Sequence, residues 1–285
     1  MTTVTLIGLG LIGGSLALDL KSQLNIKVLG VDNNSDHQQQ AIDLNLVDKL
    51  VTLDEGISSA DIVILAIPVD SIEALLPTLL DRVNEDTIVL DVGSTKTDIC
   101  KAVISHPQRH QYVAAHPLAG TEYSGPSAAV TGLFRGKKNI ICDRELSDPD
   151  AVKLTTQLFL SLGMQTYFLS SESHDKHLAY VSHLSHITSF TLSLTVLDIE
   201  KDDEQILNLA STGFESTVRL AKSNPKTWTP ILAKNKEHLS LAIGQYIEHL
   251  QQFKQALEDD DRDQTEALML KANAIKHLLN KTQKL

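Results

Sequence analysis

Cysteine and aromatic residues are scarce in this chain of 285 residues, and each scarcity argues against a class of protein. The two cysteines, Cys100 and Cys142, form no C-x-x-C pair, so we expect no disulfide framework and a reducing, cytoplasmic setting. Aromatic side chains make up 4% of the residues, which argues against a protein that stacks on nucleic-acid bases. We therefore expect no nucleic-acid partner.

Positive charge and long apolar runs are lacking as well. The formal net charge of −11 argues against binding to a phosphate backbone, so an anionic substrate would need a local pocket of Arg, Lys or His. No apolar run approaches the length that spans a bilayer, and the N-terminus lacks the basic region of a signal peptide. We expect a cytoplasmic protein with no membrane partner.

A glycine-rich turn near the N-terminus is the most informative feature that is present. Gly8, Gly10 and Gly13 fit G-x-G-x-x-G between a strand pattern and a helix pattern, where they allow a tight turn, close approach of a pyrophosphate and close helix packing. Asp32 follows the next apolar run, about 20 residues further on, where a carboxylate binds ribose hydroxyls and repels the extra phosphate of NADP. The spacing predicts a Rossmann site for NAD; the alternative is a glycine turn that binds nothing.

Short apolar runs alternate with amphipathic stretches up to about residue 168. The runs are rich in Val and Ile, which is typical of parallel strands covered on both faces. Alternating strands and helices predict a Rossmann-type, doubly wound α/β domain over residues 1–168. The predicted strands are residues 4–7, 28–31, 62–67, 88–92, 112–115 and 140–142, and one of the predicted helices is 71–83.

Helical patterns dominate the remainder of the chain. We predict an all-helical domain over residues 169–285, which binds substrate and forms a homodimer; the alternative is that its helices cover only their own Rossmann domain. The predicted helices are residues 174–199, 204–222, 227–257 and 263–281.

Oxidation of an alcohol by NAD needs a base for the hydroxyl proton, and histidine suits that role. Of the 11 histidines, His116 directly follows a predicted strand, at the edge where parallel sheets bind ligands. His183 and His186 lie three residues apart in a predicted helix, but no Cys or acidic residue stands at a matching spacing, so we expect no metal site.

Polar residues at two further places are candidates. Ser94 and Lys96 follow the predicted strand 88–92 and could reach cofactor or substrate, or they could simply begin a helix. Arg219 has apolar neighbours in a predicted helix and could bind a substrate carboxylate. From the residues alone, a pair between Arg219 and one of the protein's own acidic side chains is the favoured interpretation.

Taken together, these motifs resemble the prephenate/arogenate dehydrogenase family of tyrosine biosynthesis. The resemblance covers nearly the whole chain in the family's order. Its most specific part is a His-Pro-x-Ala-Gly-Thr-Glu motif with a later Ser-His-x-x-His motif. The motifs are G-L-G-L-I-G-G-S at 8–15, D-V-G-S-T-K at 91–96, H-P-L-A-G-T-E at 116–122, S-H-L-S-H at 182–186, and G-F at 213–214 followed by Arg219.

The resemblance implies an NAD-dependent oxidoreductase that oxidatively decarboxylates a cyclohexadienol carrying a ring carboxylate. It implies that His116 polarises the substrate hydroxyl with help from Ser94, that His186 touches the substrate, and that Arg219 holds a carboxylate. The other substrate-site positions that it implies are Glu122, Trp228 and His183. The implied cofactor positions are Gly8, Leu9, Gly10, Leu11, Ile12, Gly13, Asp32, Pro68 and Lys96.

One motif departs from the family pattern. Where the family commonly has Arg-Asp after Gly-Phe, this chain has Glu215 and Ser216, so the aspartate of an ion-pair network is missing. The leading hypothesis is an NAD-dependent conversion of prephenate to 4-hydroxyphenylpyruvate. The alternatives are an arogenate dehydrogenase, another hydroxyacid dehydrogenase and an NAD redox-sensing dimer.

Overall fold

The computed structural model describes residues 2–201 and 206–282. The chain divides into two compact units, residues 1–236 and 237–285. No helix in the described ranges is both long and apolar enough to cross a membrane.

The first unit is built on one large sheet. Within the described residues its eight strands are β1 Thr3–Ile7, β2 Lys27–Val31, β3 Lys49–Leu50, β4 Ile62–Leu65, β5 Ile88–Asp91, β6 Tyr112–Pro117, β7 Lys138–Cys142 and β8 Gln165–Leu169. They lie in the order β3-β2-β1-β4-β5-β6-β7-β8. Neighbouring strands pair in parallel except β6 and β7, which are antiparallel. The carboxyl ends of β1, β4, β5 and β6 therefore share one edge.

Helices cover both faces of this sheet, because its strands are apolar on both sides. The helices of residues 1–168 are α1 Leu11–Leu24, α2 Ser35–Asp43, α3 Leu53–Ser59, α4 Val69–Leu80, α5 Thr97–Ala102 and α6 Pro149–Ser161. One buried cluster contains Leu16 and Leu20 of α1 with Phe159 of α6, and the other contains Ile72 and Leu76 of α4. The predicted doubly wound Rossmann-type sheet is confirmed.

Two strands and one strand direction were not predicted. The strand β8 has Tyr167 and Phe168 exposed, so it lacks the apolar run by which the other strands were found. The strand β3 has only two residues. The strand at 140–142 was predicted as part of a parallel sheet, but β7 runs antiparallel to β6.

Within the described residues, the four later helices that were predicted are each divided into shorter helices or turns. The later helices are α7 Ser171–Leu178, α8 Leu184–Glu200, α9 Thr212–Val218, α10 Pro225–Lys234, α11 Lys236–Glu258, α12 Arg262–Asn273 and α13 Ile275–Thr282. The predicted helix 227–257 is interrupted at Asn235, between α10 and α11. The Asn235 side chain makes two buried hydrogen bonds at this break. The predicted helix 204–222 is replaced by α9 between the 3-10 turns Ile206–Leu209 and Arg219–Lys222, and its first two residues lie outside the described ranges.

The junction between α7 and α8 is a π-helical turn, Ala179–His183. It places His183 and His186 within an almost continuous helical segment, as the prediction of a helix over 174–199 requires. Such turns are frequent at functional sites, since they change the direction of side chains within a helix.

Candidate active site

The glycine turn joins β1 to α1 and has the conformation that the motif predicts. Gly8 has a φ of +96°, and a Cβ atom there would lie 2.5 Å from the Ala66 carbonyl oxygen. A Cβ atom on Gly13 would lie 1.9 Å from the carbonyl oxygen of Gly8, so both positions require glycine. A Cβ atom on Gly10 would meet nothing within 4 Å. Open space beside Gly10 is what a pyrophosphate approaching the backbone needs.

The acidic residue at the end of β2 lies against this turn. The Asp32 carboxylate accepts hydrogen bonds from the backbone N–H of Leu9 and of Asn34, both at 2.9 Å. A cavity of about 680 Å³ lies beside it, with Gly8, Thr52 and Leu53 in its wall. Its size is ordinary for a small-molecule site. The glycine turn, the carboxylate and the cavity together fit the adenosine half of NAD.

The remaining expected cofactor positions have different surroundings. Leu11 and Ile12 form the partly buried first turn of α1, and Pro68 is exposed directly before α4. The Leu9 side chain, by contrast, belongs to the buried core, so only its backbone borders the turn.

Lys96 does not fit its expected role as a cofactor ligand. Its side chain is 0% exposed, and its Nζ atom pairs with Oδ2 of Asp91 at the end of β5. Tyr112 completes this buried group by donating from its hydroxyl to Oδ1 of Asp91 at 2.6 Å. The lysine side chain is therefore buried beneath the surface of the site, paired with Asp91. Ser94 is partly exposed two residues earlier.

The candidate base His116 lies near the end of β6 and is buried. Its Nδ1 atom is 2.8 Å from Nε2 of His174, and Nδ1 of His174 is 2.7 Å from Oδ1 of Asp175. The Asp175 carboxylate also accepts from the backbone N–H groups of Lys96 at 2.8 Å and Thr97 at 2.7 Å. A continuous hydrogen-bonded chain thus runs from the start of α5 to His116.

Burial and hydrogen bonding together set the protonation of these three side chains. It lowers the pKa of His116 well below 6.5, and the neighbouring His174, Lys96 and His183 lower it further. Burial also lowers the pKa of His174 and outweighs the opposite effect of Asp175. For Asp175, burial raises the pKa, but the hydrogen bonds from His174 and Thr97 outweigh it, so the pKa lies below its ordinary value. His116 and His174 are therefore neutral at pH 7, and Asp175 is ionised.

Two histidines of α7–α8 surround Trp228 of α10. The His186 ring stacks on the indole with 3.3 Å between centroids, and the His183 ring meets it edge-on at 6.0 Å. Nδ1 of His186 is 3.0 Å from the carbonyl oxygen of Ser182, so Nδ1 carries the hydrogen and Nε2 the lone pair in the neutral ring. Burial lowers the pKa of His183 to about 4, and burial with the nearby Arg219 lowers that of His186.

Asn235 connects this aromatic group to the His116 chain. Its Nδ2 atom donates to the carbonyl oxygen of Asp175 at 2.7 Å and to Nδ1 of His183 at 3.0 Å. In the described residues, no group of three His, Cys, Asp or Glu side chains is arranged to hold a metal ion.

Arg219 is more exposed than its apolar neighbours suggested. Its side chain is 52% exposed, and Nη1 lies 3.3 Å from Oε2 of Glu122. The arginine thus pairs with one of the protein's own acids. Ser189 of α8 holds the adjacent backbone, because its hydroxyl donates to the carbonyl oxygen of Thr217 and accepts from the N–H of Ala221. A cavity of about 650 Å³ adjoins the pair and is lined by Glu122, Tyr123, Ser124, Ser127, Ala128, Val130, Lys222 and Asn224.

Comparison with known proteins decides the family. The family model for the nucleotide-binding domain of prephenate dehydrogenase matches residues 16–168, and the model for its dimerization domain matches residues 170–271. The chain belongs to the prephenate dehydrogenase family. The resemblance found in the sequence motifs is thereby confirmed.

Individual relatives agree with this assignment along most of the chain. A prephenate dehydrogenase of Bacillus subtilis is 30% identical over 92% of this chain and 71% of its own length. A cyclohexadienyl dehydrogenase of Zymomonas mobilis is 29% identical over 91% of this chain and 90% of its own. The crystal structure of Aquifex aeolicus prephenate dehydrogenase with hydroxyphenyl propionate and NAD+ superimposes with a TM-score of 0.87, at 29% identity, over 98% of both chains.

The structure of this family member adds residues that the sequence reasoning missed. His174, Asp175 and Asn235 connect His116 to the helices, and Asp91 and Tyr112 surround Lys96. The pair His174-Asp175 was visible as adjacent residues, but its contact with His116 joins positions 58 apart in the chain. At the position of the missing aspartate, the Ser216 hydroxyl donates to the carbonyl oxygen of Gly213, and Arg219 pairs with Glu122.

Proposed function

We propose that this protein is an NAD-dependent prephenate dehydrogenase that converts prephenate to 4-hydroxyphenylpyruvate and carbon dioxide. The observation that carries the proposal is the buried, neutral His116, whose Nε2 has no hydrogen-bond partner among the described residues. A neutral imidazole nitrogen accepts the proton that an alcohol loses on oxidation.

Gly8, Gly10, Gly13 and Asp32 would hold the dinucleotide, with its pyrophosphate at the start of α1. NAD, when bound, accepts a hydride from the substrate carbon that carries the hydroxyl group. The Asp32 carboxylate favours NAD over NADP because it would lie close to the additional, negatively charged phosphate.

His116 acts on the same carbon's hydroxyl group. Its Nε2 takes the proton as the O–H bond breaks, and the pair of electrons left on oxygen forms the carbonyl as the hydride departs. Loss of the ring carboxylate as carbon dioxide leaves the electrons of the C–C bond on the ring, which becomes aromatic with a negative charge on the former carbonyl oxygen. That oxygen takes the proton back from Nε2 of His116. Ser94 has a hydroxyl at the carboxyl end of β5, where it can hydrogen-bond the same substrate oxygen.

Arg219 binds a carboxylate of the substrate. A guanidinium group forms two parallel hydrogen bonds to a carboxylate, which positions the ring as well as attracting it. The substrate carboxylate replaces Glu122 as the partner of Arg219. The single contact between Arg219 and Glu122, at 3.3 Å, is weak because the arginine side chain is half-exposed to water. His186, stacked on Trp228, provides an adjacent wall for the ring, and the almost fully buried His183 supports the indole from its edge.

We also propose that residues 169–285 form a separate helical domain and that the protein forms a homodimer through the helices of this domain. Support comes from the matched dimerization-domain model and from apolar side chains exposed on the helices of the second unit, including Leu241, Leu257 and Met269. Sedimentation at several concentrations tests this: a dimer is expected, and a monomer throughout would contradict it. A cytoplasmic location stays a prediction from the sequence.

Initial rates test the function directly. Purified protein is given prephenate or arogenate, each with NAD or with NADP, and reduced cofactor is measured. The proposal predicts the highest kcat/KM for prephenate with NAD. Activity with arogenate alone would replace the substrate, and activity with neither would refute the proposed reaction.

A further inference from the structure

His116, His174 and Asp175 form a buried chain whose hydrogen positions are determined by its far end. The three residues are 8%, 0% and 2% exposed. The two links measure 2.8 Å and 2.7 Å, so both are hydrogen bonds of ordinary length. Since each ring nitrogen of histidine either donates or accepts, these links have only a few consistent arrangements.

The Asp175 carboxylate determines which atom donates in the hydrogen bond between His174 and Asp175. It already accepts from the backbone N–H groups of Lys96 and Thr97, which can only donate. Those contacts favour the ionised form, which has no hydrogen to give. The Nδ1 atom of His174 must therefore donate to Asp175.

The second link follows from the first. A neutral His174 that carries its hydrogen on Nδ1 has a lone pair on Nε2. Nδ1 of His116, which faces that lone pair at 2.8 Å, must then carry a hydrogen and donate. The lone pair of His116 is consequently on Nε2, the nitrogen that the chain leaves free.

We propose that His174 and Asp175 are positioning residues that hold His116 in the Nδ1–H tautomer, with the accepting lone pair on Nε2. Free imidazole side chains in water favour the opposite tautomer, whose lone pair lies on Nδ1, so the hydrogen-bonded chain selects the tautomer whose lone pair lies on the free Nε2. The inference about tautomers stands on the hydrogen-bond geometry together with a neutral His174, which its burial favours. Its importance for catalysis rests on the proposed function.

The chain also stabilises His116 after it has taken a proton. The substrate O–H bond breaks and an N–H bond forms at Nε2, while the Nδ1 hydrogen remains donated to His174. The other charged or titratable groups facing His116 are Lys96 and His183, which oppose its positive charge. The link through His174 to ionised Asp175 offsets that opposition.

Two substitutions of His174 separate the two links. His174→Gln places an amide oxygen near the position of Nε2 and keeps an acceptor for His116. His174→Asn keeps an amide near the position of Nδ1, toward Asp175, but is too short to reach His116. Both are neutral and polar, so they differ mainly in the acceptor offered to His116. His177→Gln, on the exposed side of the same helix, serves as a control.

Nitrogen-15 NMR of the histidine rings in the full-length protein, without substrate, reads the tautomer. The His116 signals are assigned by their loss in His116→Gln. We expect Nδ1–H in the wild type, in His174→Gln and in His177→Gln, and a shift toward Nε2–H in His174→Asn. An Nε2–H tautomer in the wild type would overturn the inference by itself. So would Nδ1–H in His174→Asn, or loss of it in His174→Gln.

Steady-state kinetics then connect the tautomer to turnover. His174→Asn should lower kcat by about 10²- to 10⁴-fold, the range for loss of a correctly protonated base, with little change in KM. His174→Gln should retain most of kcat. Equal losses in both variants would contradict the positioning role. If the wild type is inactive on prephenate, the proposed function fails, while the NMR result still decides the tautomer.

Discussion

His116→Gln is the substitution that tests the base most directly. Glutamine is neutral and similar in length, and its amide lies near the position of Nε2, so a polar group remains at the nitrogen that acts as the base. It has no nitrogen that accepts a proton near neutral pH. A positioned base contributes about 10²- to 10⁴-fold, so kcat should fall by that factor, which corresponds to about 2.7 to 5.4 kcal/mol of barrier.

The assay follows NADH formation from prephenate at saturating NAD. NAD affinity, measured by titration without substrate, should be unchanged, because His116 is not part of the glycine turn or the Asp32 contact. His177→Gln, exposed on α7, should match the wild type in both measurements. A kcat for His116→Gln within about threefold of the wild type would refute the assignment of the base, since such a loss is far below the expected range.

Further substitutions and pH test the other parts of the site. Arg219→Lys should raise KM for prephenate about 10-fold or more and change kcat less, because lysine cannot form the paired hydrogen bonds; an unchanged KM would exclude Arg219 as the carboxylate ligand. Gly13→Ala should lower the thermal midpoint, since its Cβ atom would lie 1.9 Å from the Gly8 carbonyl oxygen, whereas Gly10→Ala should preserve the midpoint and weaken NAD binding. The acidic fall of kcat/KM should lie below pH 6.5, because burial lowers the pKa of His116 and keeps it neutral in weak acid; a fall centred above 6.5 would contradict this.

The Rossmann half of the molecule was predictable because its signals are local. The glycine spacing requires a particular backbone at Gly8 and close packing at Gly13, and the strands β1, β2 and β4 consist mostly of buried apolar residues. The strand β8 gave no such signal because it is half-exposed. The antiparallel direction of β7 depends on its connection to β6, which periodicity does not encode.

The site was predictable where its residues belong to motifs and not where contacts join distant segments. His116, His186 and Arg219 were found through short patterns. The exposure of Arg219 was not, because its surroundings depend on Glu122, which is 97 residues away in the chain. The burial of Lys96 likewise depends on Asp91 and on the fold of the loop between β5 and α5.

The stoichiometry of the reaction tests the central claim most directly. Wild-type protein is incubated with prephenate and a limiting amount of NAD, and NADH, carbon dioxide and the keto acid product are measured. Oxidative decarboxylation at this site predicts equal amounts of NADH, carbon dioxide and 4-hydroxyphenylpyruvate. NADH formation without carbon dioxide, or no NADH at all, would contradict the account.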